Sequence, residues 1–166
     1  MATTQEIESR VIKQARKGSD LNPGLPGVLP EIILAQAKHE TGNFTSRAFK
    51  LHNNLFGYSY VPGARYQTGP GLIADNGQPV ASYATIEDSV KEIIDWLYRR
   101  VKEGKFTFPE IQDPAAYAEK IRKAGYYTDS LENYRRGLLA FFRRPENFSF
   151  FGLVLLLSLV WFLRKP

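Results

Sequence analysis

Glu40 closes the run ILAQAKHETG, where most of the preceding residues are small or apolar. A carboxyl set against such a wall is partly buried, and burial disfavours its charged form. A carboxylic acid still protonated near neutral pH is what the leaving oxygen of a glycosidic bond requires. Taken alone, a glutamate at a helix end fits a solvated surface position equally well. Two other segments could act with it. In LHNNLFG, Asn53 and Asn54 offer amide donors and acceptors suited to sugar hydroxyls and N-acetyl groups. Phe56 there suits a core anchor and Gly57 a close backbone turn. An ordinary Asn-rich turn is the competing reading. In GYYTDSLENY, Tyr126, Tyr127 and Tyr134 offer stacking faces with polar tips, although tyrosine in a helical protein also packs in the core or at its rim.

Metal chemistry finds no support. His39-Glu40 begins like a zincin helix, but that motif needs a second histidine at position 43, which is Asn43. His52 has no ligand-spaced companion, and the chain has no cysteine, so no metal is expected.

Helices must position these residues. Ile7, Val11, Ile12 and Ala15 give an amphipathic helix over 5–17, ended by the loop GSDLNPGLPG. Pro30 suits the first turn of the helix that carries Ile32, Ile33, Ala35, Gln36 and Ala37 to Glu40, with Gly42 as its stop. A short helix or turn is expected over 46–51. Residues 58–83 are rich in Tyr, Val, Gly and Pro, and Asp75-Asn76-Gly77 reads as a hairpin turn between strands 71–74 and 78–83. Thr85 and Asp88 form a capping box ahead of the stripe Ile86, Val90, Ile93, Ile94, Leu97 and Val101. Asp113-Pro114 starts the next helix and Gly125 closes it. A last helix runs from near Asp129 through Tyr134, Leu138 and Phe142. The pattern predicts a mostly helical α+β domain with a small β-hairpin lobe.

The chain of 166 residues, 43% hydrophobic and 13% aromatic, has the composition of one globular domain with a short appendage. A net charge of +5 suits polyanions, yet no aromatic-and-basic motif points to nucleic acid, and none is expected as partner. The polar start MATTQEIESR does not read as a signal peptide. Residues 148–163, FSFFGLVLLLSLVWFL, carry no charge. At about 1.5 Å per residue they reach about 24 Å, somewhat short of a hydrocarbon core of about 30 Å. Arg143, Arg144, Arg164 and Lys165 flank the stretch and can snorkel, and Trp161 suits an interface. A buried helix is disfavoured because the stretch is apolar all round. The expected division is a domain over 1–144 and a single transmembrane anchor over 145–166.

Together, ILAQAKHETG, NNLFGYS, SYATIEDSV and AGYYTDSLENY resemble, in order, the endo-β-N-acetylglucosaminidases of bacterial autolysins and flagellar muramidases, glycoside hydrolase family 73. The resemblance covers about residues 25 to 140. It implies a lysozyme-like fold, no cofactor, and cleavage of the β-1,4 bond between N-acetylglucosamine and N-acetylmuramic acid in peptidoglycan strands. By position, Glu40 matches the family's catalytic acid, Asn54, Phe56 and Gly57 its cleft loop, and Tyr126 the tyrosine facing the acid. Many members also carry a second acid in a Thr-x-Glu pattern of the β lobe. Here Asp75 is the only carboxylate between Gly57 and Glu87, in a segment that also reads as a turn, and Thr41 stands where Ser is frequent. If Asp75 is not in the cleft, assistance by the substrate's own acetamido group or a single-acid lytic transglycosylase reaction remains, and an inactive wall-binding or structural membrane protein is a further alternative. A third reading is attachment to anionic lipid through Arg135, Arg136, Arg143 and Arg144. A wall-cleaving domain with a membrane tail suggests a bacteriophage setting, in a virion membrane or the host envelope, with a bacterial tail-anchored enzyme as the rival.

Overall fold

The computed structural model describes residues 2–18 and 28–143. Within them the order is α1 (Thr4–Arg16), α2 (Pro30–Thr41), α3 (Arg47–His52), β1 (Gln67–Ile73), β2 (Pro79–Tyr83), α4 (Ile86–Lys102), α5 (Pro114–Lys123) and α6 (Leu131–Phe141). The result is a mostly helical α+β domain with one two-stranded antiparallel sheet. The apolar stretch 148–163 lies outside the described residues. Among those described, no helix is long and apolar enough to cross a membrane.

Local chemistry sets most helix ends. Thr3 and Glu6 form a reciprocal capping box at α1 that the sequence reading did not single out. α2 starts on Pro30 with no side-chain cap and stops at Gly42, whose φ of 56° is left-handed. Thr85 caps α4 by accepting from the Asp88 N–H, but the Asp88 carboxylate returns to the Thr85 hydroxyl, at 2.7 Å. Asp113 accepts from two N–H groups ahead of α5, and Ser130, one residue beyond the expected start, caps α6.

The core is one cluster fed by every helix. α4 buries Ile86, Val90, Ile93, Ile94, Leu97 and Tyr98 along one stripe, with Val101 only partly covered. It packs on α1 and β2, while α2 lies between α1 and α6, and α5 lies on α6. This places the end of α2 under the start of α6.

The hairpin is longer than the sequence suggested. β1 begins at Gln67 and runs through Gly69, Pro70 and Gly71, residues that argue against a strand interior. They are tolerated because β1 is an edge strand, where a missing N–H breaks no ladder, and its register shifts on both sides of Gly69-Pro70. The opposite edge of β2 is covered by 58–60, with Ala81 N–H donating to Tyr58 O and Tyr60 N–H to Pro79 O, each at 2.8 Å. His52 pins the lobe to α3. Its Nε2 accepts from Leu72 N–H at 3.2 Å, so Nδ1 carries the proton shared with Ser82 Oγ at 2.9 Å. A Cβ on Gly71 would lie 2.9 Å from this ring, so only glycine fits.

α2 and α6 meet tightly at Gly137. A Cβ on Gly137 would stand 2.2 Å from the His39 ring. In an exposed helix Gly→Ala gains about 1 kcal/mol. Here Gly137→Ala should instead destabilise the domain by about 1–3 kcal/mol, as overpacking does. Thermal melting checks this, and an unchanged or raised midpoint would show that His39 moves aside at no cost.

Candidate active site

Glu40 occupies the last turn of α2, one turn beyond buried Gln36 and beside buried Ala37. Burial pushes its carboxyl pKa up to about 7, opposed by a hydrogen bond from Tyr134. The Tyr134 hydroxyl donates to Glu40 Oε1 at 2.7 Å. On the other side, a Cβ on Gly57 would lie 3.7 Å from Oε2. Gly57 is exposed, with φ 67°, so one carboxyl oxygen is held from within and the other meets an open, side-chain-free edge.

Tyrosines enclose the acid. Tyr126 is pushed far above the ordinary phenol pKa by burial, then by the charge of Glu40. Its hydroxyl donates to Phe56 O at 2.6 Å and its ring packs edge-on against Tyr58. Tyr126 thus ties the segment before Gly57 to the end of α5. Tyr117 of α5, which the sequence reading missed, donates to Gln36 Oε1 and is raised by burial and by Glu40. Gln36 is itself buried and lies within hydrogen-bonding reach of the Tyr134 hydroxyl as well. Helical spacing of four puts Gln36 and Glu40 on one face, a signal that could have found Gln36; Tyr117 arrives from a distant helix and leaves no local trace.

Several residues expected to bind sugar make hydrogen bonds and packing contacts within the fold. Asn54 is 1% exposed. Its Nδ2 donates to Tyr58 O and Ala81 O at 2.9 and 3.0 Å, and its Oδ1 accepts from Phe56 and Tyr58 N–H. No hydrogen-bonding capacity is left for a sugar. Asn53 takes the left-handed position ending α3 and donates to Tyr83 O and Ala84 O. The Phe56 side chain is buried in the core. Tyr134 is 3% exposed, stacked on Tyr127 at 3.7 Å and edge-on to His39, so it orients the acid rather than offering a face. The Tyr127 hydroxyl is held by Ala118 O. His39 has its pKa lowered by burial, against the Asp129 charge.

Asp75 is exposed in the hairpin turn, where Ala74 N–H donates to Gln78 O and Asn76 Oδ1 accepts from Gln78 N–H. No second acid contributes to the raised pKa of Glu40. Among the described residues no cluster of His, Asp and Glu could hold a metal ion. Beside Gly57 opens a recess of about 310 Å³ bounded by Gly57, Ser59, Trp96, Gly125 and Tyr126. Trp96, not anticipated from the sequence, packs against Tyr126.

The model of the glucosaminidase family, described as mannosyl-glycoprotein endo-β-N-acetylglucosaminidase, matches residues 25–146. The chain belongs to that family. It is a glycoside hydrolase by membership. The matched span contains Glu40, Gly57, Trp96, Tyr126 and Tyr134. No curated protein sequence matches the chain. Solved structures similar in fold include a peptidoglycan hydrolase from Sphingomonas sp. A1, with TM-score 0.59 and 19% identity over 79% of this chain and 86% of that one. The glycoside hydrolase domain of FlgJ from Salmonella typhimurium gives TM-score 0.57 and 20% identity over 85% and 87%. The catalytic domain of the autolysin Auto from Listeria monocytogenes gives TM-score 0.56 and 18% identity over 85% of each chain.

A raised carboxyl pKa is also a statement about stability. Glu40 binds its proton more tightly folded than unfolded, so its ionisation weakens the fold as pH rises from the ordinary 4.5 through about 7. The full difference is about 3 kcal/mol. Glu40→Gln should therefore be close to wild type in denaturant at pH 4 and more stable at pH 8. Equal unfolding midpoints at both pH values would refute a buried, reluctant acid.

Proposed function

We propose that the chain hydrolyses the β-1,4 glycan strand of peptidoglycan as an N-acetylglucosaminidase, with Glu40 as general acid. The observation that carries this reading is the single carboxyl, raised to about 7, fixed by Tyr134 on one oxygen and open beside Gly57 on the other. Family membership and the fold shared with peptidoglycan hydrolases support the substrate. Glu40 protonates the glycosidic oxygen as the bond to C1 breaks. With Asp75 exposed in its turn, the 2-acetamido oxygen of the substrate closes on C1 in place of an enzyme carboxylate. The Glu40 carboxylate then takes a proton from the water that opens this ring. The same lone acid fits a lytic transglycosylase, in which the 6-hydroxyl of a muramic unit attacks its own C1 and Glu40 accepts that proton.

We also propose that 148–163 anchors the domain in a lipid membrane, in a virion or a host envelope, on the strength of its uncharged run and basic flanks. Full-length protein mixed with neutral liposomes should float with them at both low and high salt. Release by salt would move the reading to attachment by the arginines alone.

Mass spectrometry of digested peptidoglycan tests the activity. Reducing N-acetylglucosamine ends are expected, anhydro-muramic ends would move the reaction to the transglycosylase, and no product from folded protein would overturn both. Glu40→Gln should lose activity by about 10²–10⁴-fold, while Asp75→Asn stays within about twofold of wild type. Because the acid must be protonated, kcat should fall as pH rises through about 7.

A further inference from the structure

The recess beside Gly57 continues past Trp96. Tyr58, Ser59, Val61 and Trp96 bound it and also bound a second recess of about 420 Å³, between the 58–67 loop and α4. The chemistry changes along the way. The acid's surroundings are tyrosines, whereas the second recess carries Arg65, Glu92, Asp95 and Arg99. Its polar atoms are incompletely matched. Gln67 Nε2 donates to Glu92 Oε1 at 2.9 Å and the Tyr83 hydroxyl faces the Glu92 carboxylate, but the hydroxyls of Tyr58 and Tyr66 are buried without a hydrogen-bond partner among the described residues. Each such group costs about 1–3 kcal/mol unless water or a ligand completes it. Arg99 reaches Asp95 only at 3.7 Å and is 61% exposed, and the Arg65 guanidinium lies over the Tyr66 ring.

Sugars explain little of this. The glycan of peptidoglycan offers hydroxyls and acetamides, and its lactyl carboxyl is taken up in an amide bond, so four charged side chains find no partner on it. The peptide stem attached to that lactyl group does carry both charges: free carboxylates and, in stems with a diamino acid, an amine. We propose that the recess between the 58–67 loop and α4 binds the peptide stem beside the scissile bond, which would make the enzyme selective for peptide-bearing strands. Arg65 and Arg99 meet the stem carboxylates, and Glu92 and Asp95 accept its N–H groups. This inference rests on the peptidoglycan reading above.

The test uses the full chain in detergent, with intact peptidoglycan strands and the same strands stripped of stems by an amidase, which leaves a lactyl carboxylate but none of the stem's further carboxylates, N–H groups or amine. Wild type should cleave intact strands with kcat/KM at least about tenfold higher, the scale of one lost charge-assisted contact. The ratio should fall towards one in Arg65→Ala/Arg99→Ala and in Glu92→Gln. Calorimetry with free stem peptide should show binding to wild type, weakened about tenfold or more in the double variant. Equal cleavage of both strands with no peptide binding overturns the stem site and leaves the hydrolase reading standing. Peptide binding without cleavage of either strand overturns the hydrolase reading and keeps the site.

Discussion

Everything at the site depends on holding one carboxyl where water solvates it poorly while one of its oxygens stays reachable. Burial alone would favour a swing of Glu40 into solvent. The Tyr134 hydroxyl prevents this by donating to Oε1, and Tyr134 is itself clamped between Tyr127 and His39. The clamp requires α6 to approach α2 more closely than a Cβ at position 137 allows. A glycine inside a helix, ordinarily a small liability, is therefore a condition for the geometry of the acid.

The two opposing influences on Glu40 divide the work. Desolvation keeps the proton on near neutral pH, and the tyrosine bond limits how far that goes, so the group can give its proton up and later take one back. Tyr126 joins this end of the molecule to the β lobe by its bond to Phe56 O, which carries Gly57 to the acid's open side. The lobe is in turn fixed to α3 by His52 and closed over by Asn54. Side chains with obvious sugar-binding chemistry thus build the walls, and the walls create the space.

That division explains what the sequence did and did not reveal. Pro30 and Gly42 bracket α2, so the place of Glu40 at a helix end was legible, as were the α4 stripe and the 75–77 turn. The structural role of Asn53 and Asn54 was not legible because an amide that binds sugar and an amide that staples a loop look alike until its partners, Ala81 O and Tyr83 O, are known. Those partners lie 27 and 30 residues away, beyond any local pattern. β1 was read short because Gly69 and Pro70 suit an edge strand only once the sheet is seen to end there. Trp96 and Glu92 face the recess from the partly covered side of α4, which periodicity alone assigns to solvent.

Whether Glu40 is a buried acid protonated near neutrality is measured by a carbon-13 NMR titration of its side-chain carboxyl, assigned with Glu40→Gln. A midpoint near 7 is expected, moving higher in Tyr134→Phe as the opposing hydrogen bond is lost. A midpoint near 4.5, indifferent to Tyr134, would mean a solvated glutamate and would contradict a buried acid.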